Sequence, residues 1–252
     1  MIGIMGAMPE EIRHLIPHIQ QVSRKESGMR EYFQGILHDT PVVLVFSRMG
    51  KVAAATTATN LILEFGVEEI IFTGVAGALH PELRIGDVVV GQHLYQHDMD
   101  ASPIMPRFEI PLLERQYFET PRLQTDRAMA AVRRFFEKMD AYISEAEKTQ
   151  FNIQAPAVVL GDIASGDVFV SAHAHKEAIS EGLPGVQCVE MEGAAVAQVC
   201  YEFEIPCTVI RTISDAANES SEVDFPRFIE TIASNYSEGI VLEWFRQRKD
   251  LI

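Results

Sequence analysis

The chain has 252 residues, 47% hydrophobic and 23% charged, enough apolar material for the core of one large α/β domain. Its 21 basic and 36 acidic side chains leave a net charge of −15. That balance argues against nucleic acid and anionic membranes as partners, since both require a basic footprint.

Residues 2–6, IGIMG, read as a short buried strand. PEEIRHLIPHI (9–19) reads as a helix, with Pro9 in its first turn and Glu10 and Glu11 at the positive end of its dipole. Residues 31–48 read as two strands joined by a turn at His38-Asp39-Thr40-Pro41. KVAAATTATNLILEFG (51–66) is helical and closed by Gly66. EEIIFTGVAG (68–77) is another buried strand, ending in a glycine-containing loop, and IGDVVVGQHLYQHD (85–98) is a strand entered through Gly86-Asp87.

Residues 99–123 are proline-rich and aperiodic, which predicts a long loop of the kind that serves as a lid or partner contact. AMAAVRRFFEKM (128–139) is an amphipathic helix, and residues 155–170 are a strand running into a turn. A helix over 171–181 precedes the strand VQCVEM (186–191), a helix from Gly193 and the strand CTVIRTIS (207–214). Residues 225–248 form a polar-faced helix. Continuously apolar strands alternating with helices indicate a three-layer α/β/α sandwich around a central sheet, which the early hairpin makes mixed. With no linker, repeat or low-complexity segment, one domain over 1–252 is expected.

Cys188, Cys200 and Cys207 form no C-x-x-C pair and show no metal-ligand spacing with histidine, so neither a disulfide framework nor a metal or other cofactor is expected. Together with an N-terminus unlike a signal peptide and the absence of any apolar run of membrane-spanning length, this points to the cytoplasm.

Ligands of open α/β sheets gather beyond the carboxyl ends of strands. Four such ends carry more than packing residues: Glu10 and Glu11; the loop Gly74-Val75-Ala76-Gly77; Glu190 and Glu192; and Arg211, Ser214 and Asp215. Each alone has a plainer role: the acids can cap helices, and the glycines can serve a tight turn. Arg211 in a strand of Val, Ile and Thr needs a carboxylate partner, and the neighbouring ends supply several. Carboxylates converging there, without a Ser-His-Asp or Cys-His arrangement, suggest acid–base cleavage through a cationic transition state, of which the glycosidic bond is the leading case.

The segments IGIMGAMPEEI, GKVAAATTATNLI, TGVAGAL, IGDVVV, SGDVFV, VEMEGAAVAQVC and VIRTISDAA occur in this order over nearly the whole chain. In this they resemble the 5′-methylthioadenosine/S-adenosylhomocysteine nucleosidases of the nucleoside phosphorylase and hydrolase superfamily. The resemblance implies hydrolysis of the N-glycosidic bond of an adenine thionucleoside in a homodimer. It implies Glu11 as the base that activates water and Asp215 as the acid toward purine N7. It also implies Glu192 on the ribose diol, Ser214 orienting Asp215, and Arg211 near the water and Glu11. Met191 and Met8 would lie along the sugar, Phe169 would stack on adenine, and the Phe169–Val170 backbone would bond its edge. Val75, Ala76 and Gly77 would line the site, with Glu190 supporting Glu192. A glutamate at a helix N-terminus is also expected to stay ionised easily, as a base must.

The chain departs from the family at Val75, where a serine is usual, and at Arg48, which could bind an anion. The first departure favours water; the second would favour a phosphorylase. Met105 and Phe108 in the 99–123 loop would reach a partner subunit's site. Alternation along a strand would point Glu190 and Glu192 to one side and Met191 to the other. A phosphorylase, a hydrolase of a related adenosyl nucleoside such as aminodeoxyfutalosine, and a non-catalytic nucleoside-binding protein are the alternatives.

Overall fold

The computed structural model describes residues 1–218 and 220–249; positions 219 and 250–252 of the expected single domain lie outside the described residues. In chain order the strands are β1 (Ile2–Gly6), β2 (Gln20–Ser27), β3 (Arg30–Leu37), β4 (Thr40–Phe46), β5 (Glu69–Ala78), β6 (Val88–Gln96), β7 (Tyr117–Glu119), β8 (Val158–Ser165), β9 (Val186–Glu190) and β10 (Cys207–Asp215). The helices are α1 (Pro9–Ile12), α2 (Lys51–Phe65), α3 (Arg122–Glu137), α4 (Glu145–Gln150), α5 (His173–Gly182), α6 (Gly193–Glu202), α7 (Ser221–Phe228) and α8 (Ser234–Lys249). Among the described residues, no helix is long and apolar enough to cross a membrane.

The strands form a single mixed sheet in the order β10-β6-β8-β9-β5-β1-β4-β3-β2, with β7 on β6. β10 also bonds β5, so β5, β10, β6, β8 and β9 close into a small barrel from which the other strands extend. β1 lies parallel to both β4 and β5 and is buried throughout, as are all ten residues of β5. Such strands have no solvent face, which is why they read as unbroken apolar runs.

Three layers result. On one face α2 and α6 bury Ala54, Ala58, Leu61, Ala194 and Ala197. On the other, α1, α3 and α8 bury Ile12, Val132, Phe135, Ile240 and Trp244. The Phe135 ring fits because residue 239 is glycine: a Cβ there would come within 2.2 Å of its edge.

Three expectations are corrected. The helix expected over 9–19 is a single α turn followed by a 3₁₀ segment over Arg13–His18, with Pro17 inside it. The tail is not polar-faced: Val241, Leu242, Glu243, Trp244 and Phe245 are buried in succession, and a π turn over Ile229–Ala233 joins α7 to α8. A helix buried nearly all round needs partners for its polar groups, and Lys138 donates to Glu243 at 2.8 Å. The 99–123 loop also ends in structure, with β7 on β6 and α3 starting at Arg122.

Candidate active site

The carboxyl ends of β1, β5, β9 and β10 surround a cavity of about 430 Å³. Register brings them together: Arg211 of β10 lies opposite Gly74 of β5, and Gly77 is paired both with Asp215 and with Val189 of β9. Of the residues expected at the site, Met8, Glu11, Val75, Ala76, Gly77, Phe169, Val170, Glu190, Met191, Glu192, Ser214 and Asp215 all line the cavity.

Arg211 does not. It lies behind the wall, 1% exposed, with its Nε and Nη2 both donating to Glu190 Oε2, at 3.1 and 2.6 Å. Nη1 donates to the Phe72 and Ile210 carbonyls, and the guanidinium sits 4.2 Å over the Phe72 ring. Glu190 is therefore the buried counter-charge that Arg211 requires. Its carboxylate also accepts the Ser165 hydroxyl and the Gly193 amide, so it doubles as an anchor for the N-terminus of α6.

The alternation expected to put Glu190 and Glu192 on one side and Met191 on the other does not reach them, and all three line the cavity. β9 ends at Glu190, and Glu192 is the residue before α6, with φ −141° and ψ −38°. The turn brings both carboxylates to the cavity, and small residues let α6 follow closely. A Cβ on Gly193 would lie 3.0 Å from Val209 and 3.2 Å from Glu190 Oε1. Glu192 Oε1 accepts the Gly50 amide at 2.8 Å. Gly50 has φ 95°, a conformation that glycine alone adopts readily, so this N–H is aimed by a residue without a side chain. Burial, and then the neighbouring Glu190, push the Glu192 carboxyl up to about 8, against the pull of Arg211 and the Gly50 N–H.

Glu11 is 3% exposed and held by three backbone donors: Ala7 and Met8 on Oε2 at 2.6 and 2.9 Å, and Val75 on Oε1 at 3.1 Å. Burial raises its pKa even so, with Arg211 and the three N–H groups pulling the other way. The expectation that the helix N-terminus keeps Glu11 ionised is thus reversed. α1 is only four residues long, and loss of water outweighs the Arg211 charge and the three N–H bonds.

Gly74 and Gly77 do not form a tight turn either; they lie within β5 and leave room for carboxylates. A Cβ at 74 would stand 2.5 Å from Glu11 Oε1, and one at 77 would stand 3.0 Å from Asp215 Oδ1. Gly74→Ala is expected to lower kcat/KM by up to about 10²-fold by displacing Glu11, while far-ultraviolet dichroism stays native. Unchanged turnover would show that the close approach is incidental.

Asp215 receives the Ser214 hydroxyl on Oδ2 at 2.8 Å and the Ala217 amide on Oδ1 at 2.9 Å. Lys176 Nζ ties the ends of β5 and β10 by donating to the Ala78 and Ala216 carbonyls at 2.7 and 2.8 Å. Phe169 is 42% exposed and meets Phe225 edge-on at 5.4 Å.

The wall also holds Ala7, Met49, Val168, Val189, Glu222, Phe225 and Pro226, none singled out from sequence. Glu222, Phe225 and Pro226 belong to α7, whose polar run carries no helical periodicity; a Phe-Pro pair ten residues after Asp215 was the available signal. Arg48 is exposed and donates to the Met29 carbonyl at 2.7 Å, outside the cavity wall. Phe108 is buried in its own chain, in the cluster that includes Ile179 of α5, and the exposed apolar tips of the loop are instead Ile104 and Leu112.

Fold and site together define a member of the phosphorylase superfamily, whose family model matches residues 1–246. A 5′-methylthioadenosine/S-adenosylhomocysteine nucleosidase of Staphylococcus aureus (strain bovine RF122 / ET3-1) is 34% identical over 240 residues, 95% of this chain and 97% of its own. Among solved structures, the nucleosidase of the same description from Neisseria meningitidis, in complex with methylthio-immucillin-A, matches with a TM-score of 0.86 at 32% identity, covering 98% of both chains. A futalosine hydrolase of Helicobacter pylori strain 26695 matches at 0.81 and 33%, covering 96% of both. Within the superfamily, the chain belongs to the 5′-methylthioadenosine/S-adenosylhomocysteine nucleosidase family.

Proposed function

We propose that this protein hydrolyses the N-glycosidic bond of 5′-methylthioadenosine, S-adenosylhomocysteine or both, releasing adenine and the thioribose. One observation carries the choice of nucleophile. Glu11, Glu190, Glu192, Asp215 and Glu222 line the cavity, and among the described residues no Lys, Arg or His does. A phosphate dianion would find no cation in that wall to offset its charge. Water meets no such barrier, and an oxocarbenium-like sugar carries the charge that carboxylates favour.

Glu11 is the base in this reading. Water adds its oxygen to C1′ and gives a proton to Glu11, the C1′–N9 electrons pass to the purine, and Asp215 supplies the proton to N7. The raised Glu11 pKa supports its role, since a stronger base takes a proton from water more readily. Glu192 grips the ribose hydroxyls, Met191 and Met8 lie along the sugar, and Phe169 stacks on adenine with Val170 at its edge. Val75, Ala76 and Gly77 form the β5 wall, Ser214 orients Asp215, and Glu190 with Arg211 braces the strand ends.

The test is incubation with methylthioadenosine, with and without phosphate. Free methylthioribose formed without phosphate is expected; a sugar 1-phosphate, or a strict phosphate requirement, would overturn the reading. A second reading, hydrolysis of a futalosine-type nucleoside, draws on the likeness to the Helicobacter pylori enzyme. Comparing kcat/KM across the three nucleosides separates the two.

The proposal extends to a single-domain, cytoplasmic homodimer acting in methionine salvage, with no nucleic acid or membrane partner. The charge of −15 supports the last point. Exposed Met49, Val52, Ile104 and Leu112 offer apolar surface to a second copy.

A further inference from the structure

Ser221 opens α7 in the polar run Asn218-to-Asp224, yet it is fully buried. Its Oγ accepts the Asn218 amide at 3.0 Å, and its one proton goes to Asp215 Oδ1. Ala217 N–H donates to that same oxygen, so Oδ1 has two donors aimed at it. Oδ2 has a different neighbour. The Ser214 hydroxyl lies 2.8 Å from it and also has the Ala76 carbonyl 3.4 Å away as a second acceptor. A hydroxyl can rotate between acceptors or accept a proton itself, which a backbone N–H cannot do. The two oxygens of Asp215 are therefore not equivalent. A proton on Oδ1 would face two donors, whereas a proton on Oδ2 faces a group able to turn away.

We propose that Ser221 is a positioning residue that fills Asp215 Oδ1, fixes the plane of the carboxyl group and so confines the transferable proton to Oδ2. The inference rests on the reading of Asp215 as the acid. It also gives α7 a second duty. The helix that sets Phe225 against Phe169 would set the proton donor through Ser221, so the aromatic wall and the acid are placed by one segment.

The test is S221A, with exposed S220A as the control for helix start. S221A is expected to lower kcat for methylthioadenosine by about ten- to a hundredfold. Affinity for the 7-deaza analogue of methylthioadenosine, which lacks N7, should change less than twofold. An unchanged kcat overturns the inference. So does a loss of 7-deaza affinity in parallel with kcat, because Ser221 would then merely seat the helix. A double-mutant cycle provides the second arm: in a D215N background S221A should cost nothing further, and an independent loss overturns the proposal. If S221A does not fold, S221C, close in size and a weaker donor, takes its place in both arms. A wild type that cleaves no adenine nucleoside sinks the proposed function, whereas normal turnover with an unaffected S221A sinks this inference alone.

Discussion

Asp215→Asn should lower kcat on methylthioadenosine by roughly 10²–10⁴, a barrier increase of about 3–5 kcal/mol, while nucleoside affinity stays within a few-fold. The surroundings of the side chain make this substitution unusually clean. An asparagine can keep its carbonyl oxygen at the Oδ1 position, still accepting from the Ala217 amide and the Ser221 hydroxyl. Its NH₂ then occupies the Oδ2 position beside Ser214, where it can donate a hydrogen bond to a purine nitrogen. It cannot surrender a proton, so recognition survives and chemistry does not. Glu11→Gln is the less clean counterpart. Both oxygens of Glu11 accept backbone N–H groups, so wherever the amide nitrogen goes it meets a donor. That variant should lose turnover to a similar degree and some stability besides. Single-turnover kinetics alongside equilibrium binding separate the effects, and near-normal kcat in D215N would refute the proton-donor role.

The site was more legible in the sequence than the elements around it. Glu11, Glu192 and Asp215 stand at the ends of apolar strands, and a carboxylate entering a core is a conspicuous violation of pattern. What the pattern could not say was which acid answers which demand. Glu190 and Glu192 are two residues apart, yet one neutralises Arg211 and the other faces Gly50, because the strand stops between them. β2 escaped notice for the opposite reason. Gln20–Glu26 are all exposed on an edge strand, so no buried face marks them in the sequence; backbone bonds to β3 and surface pairs such as Lys25–Glu64 hold them. In α7, Ser221 is buried by a tertiary contact that leaves no periodicity behind. The tail misled because Glu243 and Gln247 count as polar in a sequence but are buried in the fold, where Lys138 and Arg246 neutralise Glu243.

Glu192→Gln is expected to stabilise the protein at neutral and alkaline pH while weakening catalysis. Folding lifts this carboxyl from an ordinary value of 4.5 to about 8. Between those values the unfolded chain has already released the proton that the folded chain retains, so the unfolded state binds fewer protons. Stability must then fall as pH rises, by up to about 1.4 kcal/mol per pH unit for this one group. The contribution is fully present below pH 4.5 and is lost as pH climbs through 8. Glutamine removes the titration yet keeps a carbonyl oxygen for the Gly50 amide, so urea unfolding at pH 5, 7 and 9 should show the variant gaining on the wild type at each step. Parallel curves would mean that the Glu192 carboxyl ionises in the fold at no such cost. Two ribose hydroxyls donating to this carboxyl would draw it into its ionised form on binding, an acceptor that an amide cannot become. Charge-assisted bonds to a diol contribute roughly 1.5–3 kcal/mol each, so kcat/KM should fall at least tenfold even as the melting temperature rises. A buried acid that destabilises its own fold is retained for what it binds, and opposite signs in the two measurements would assign that role to Glu192.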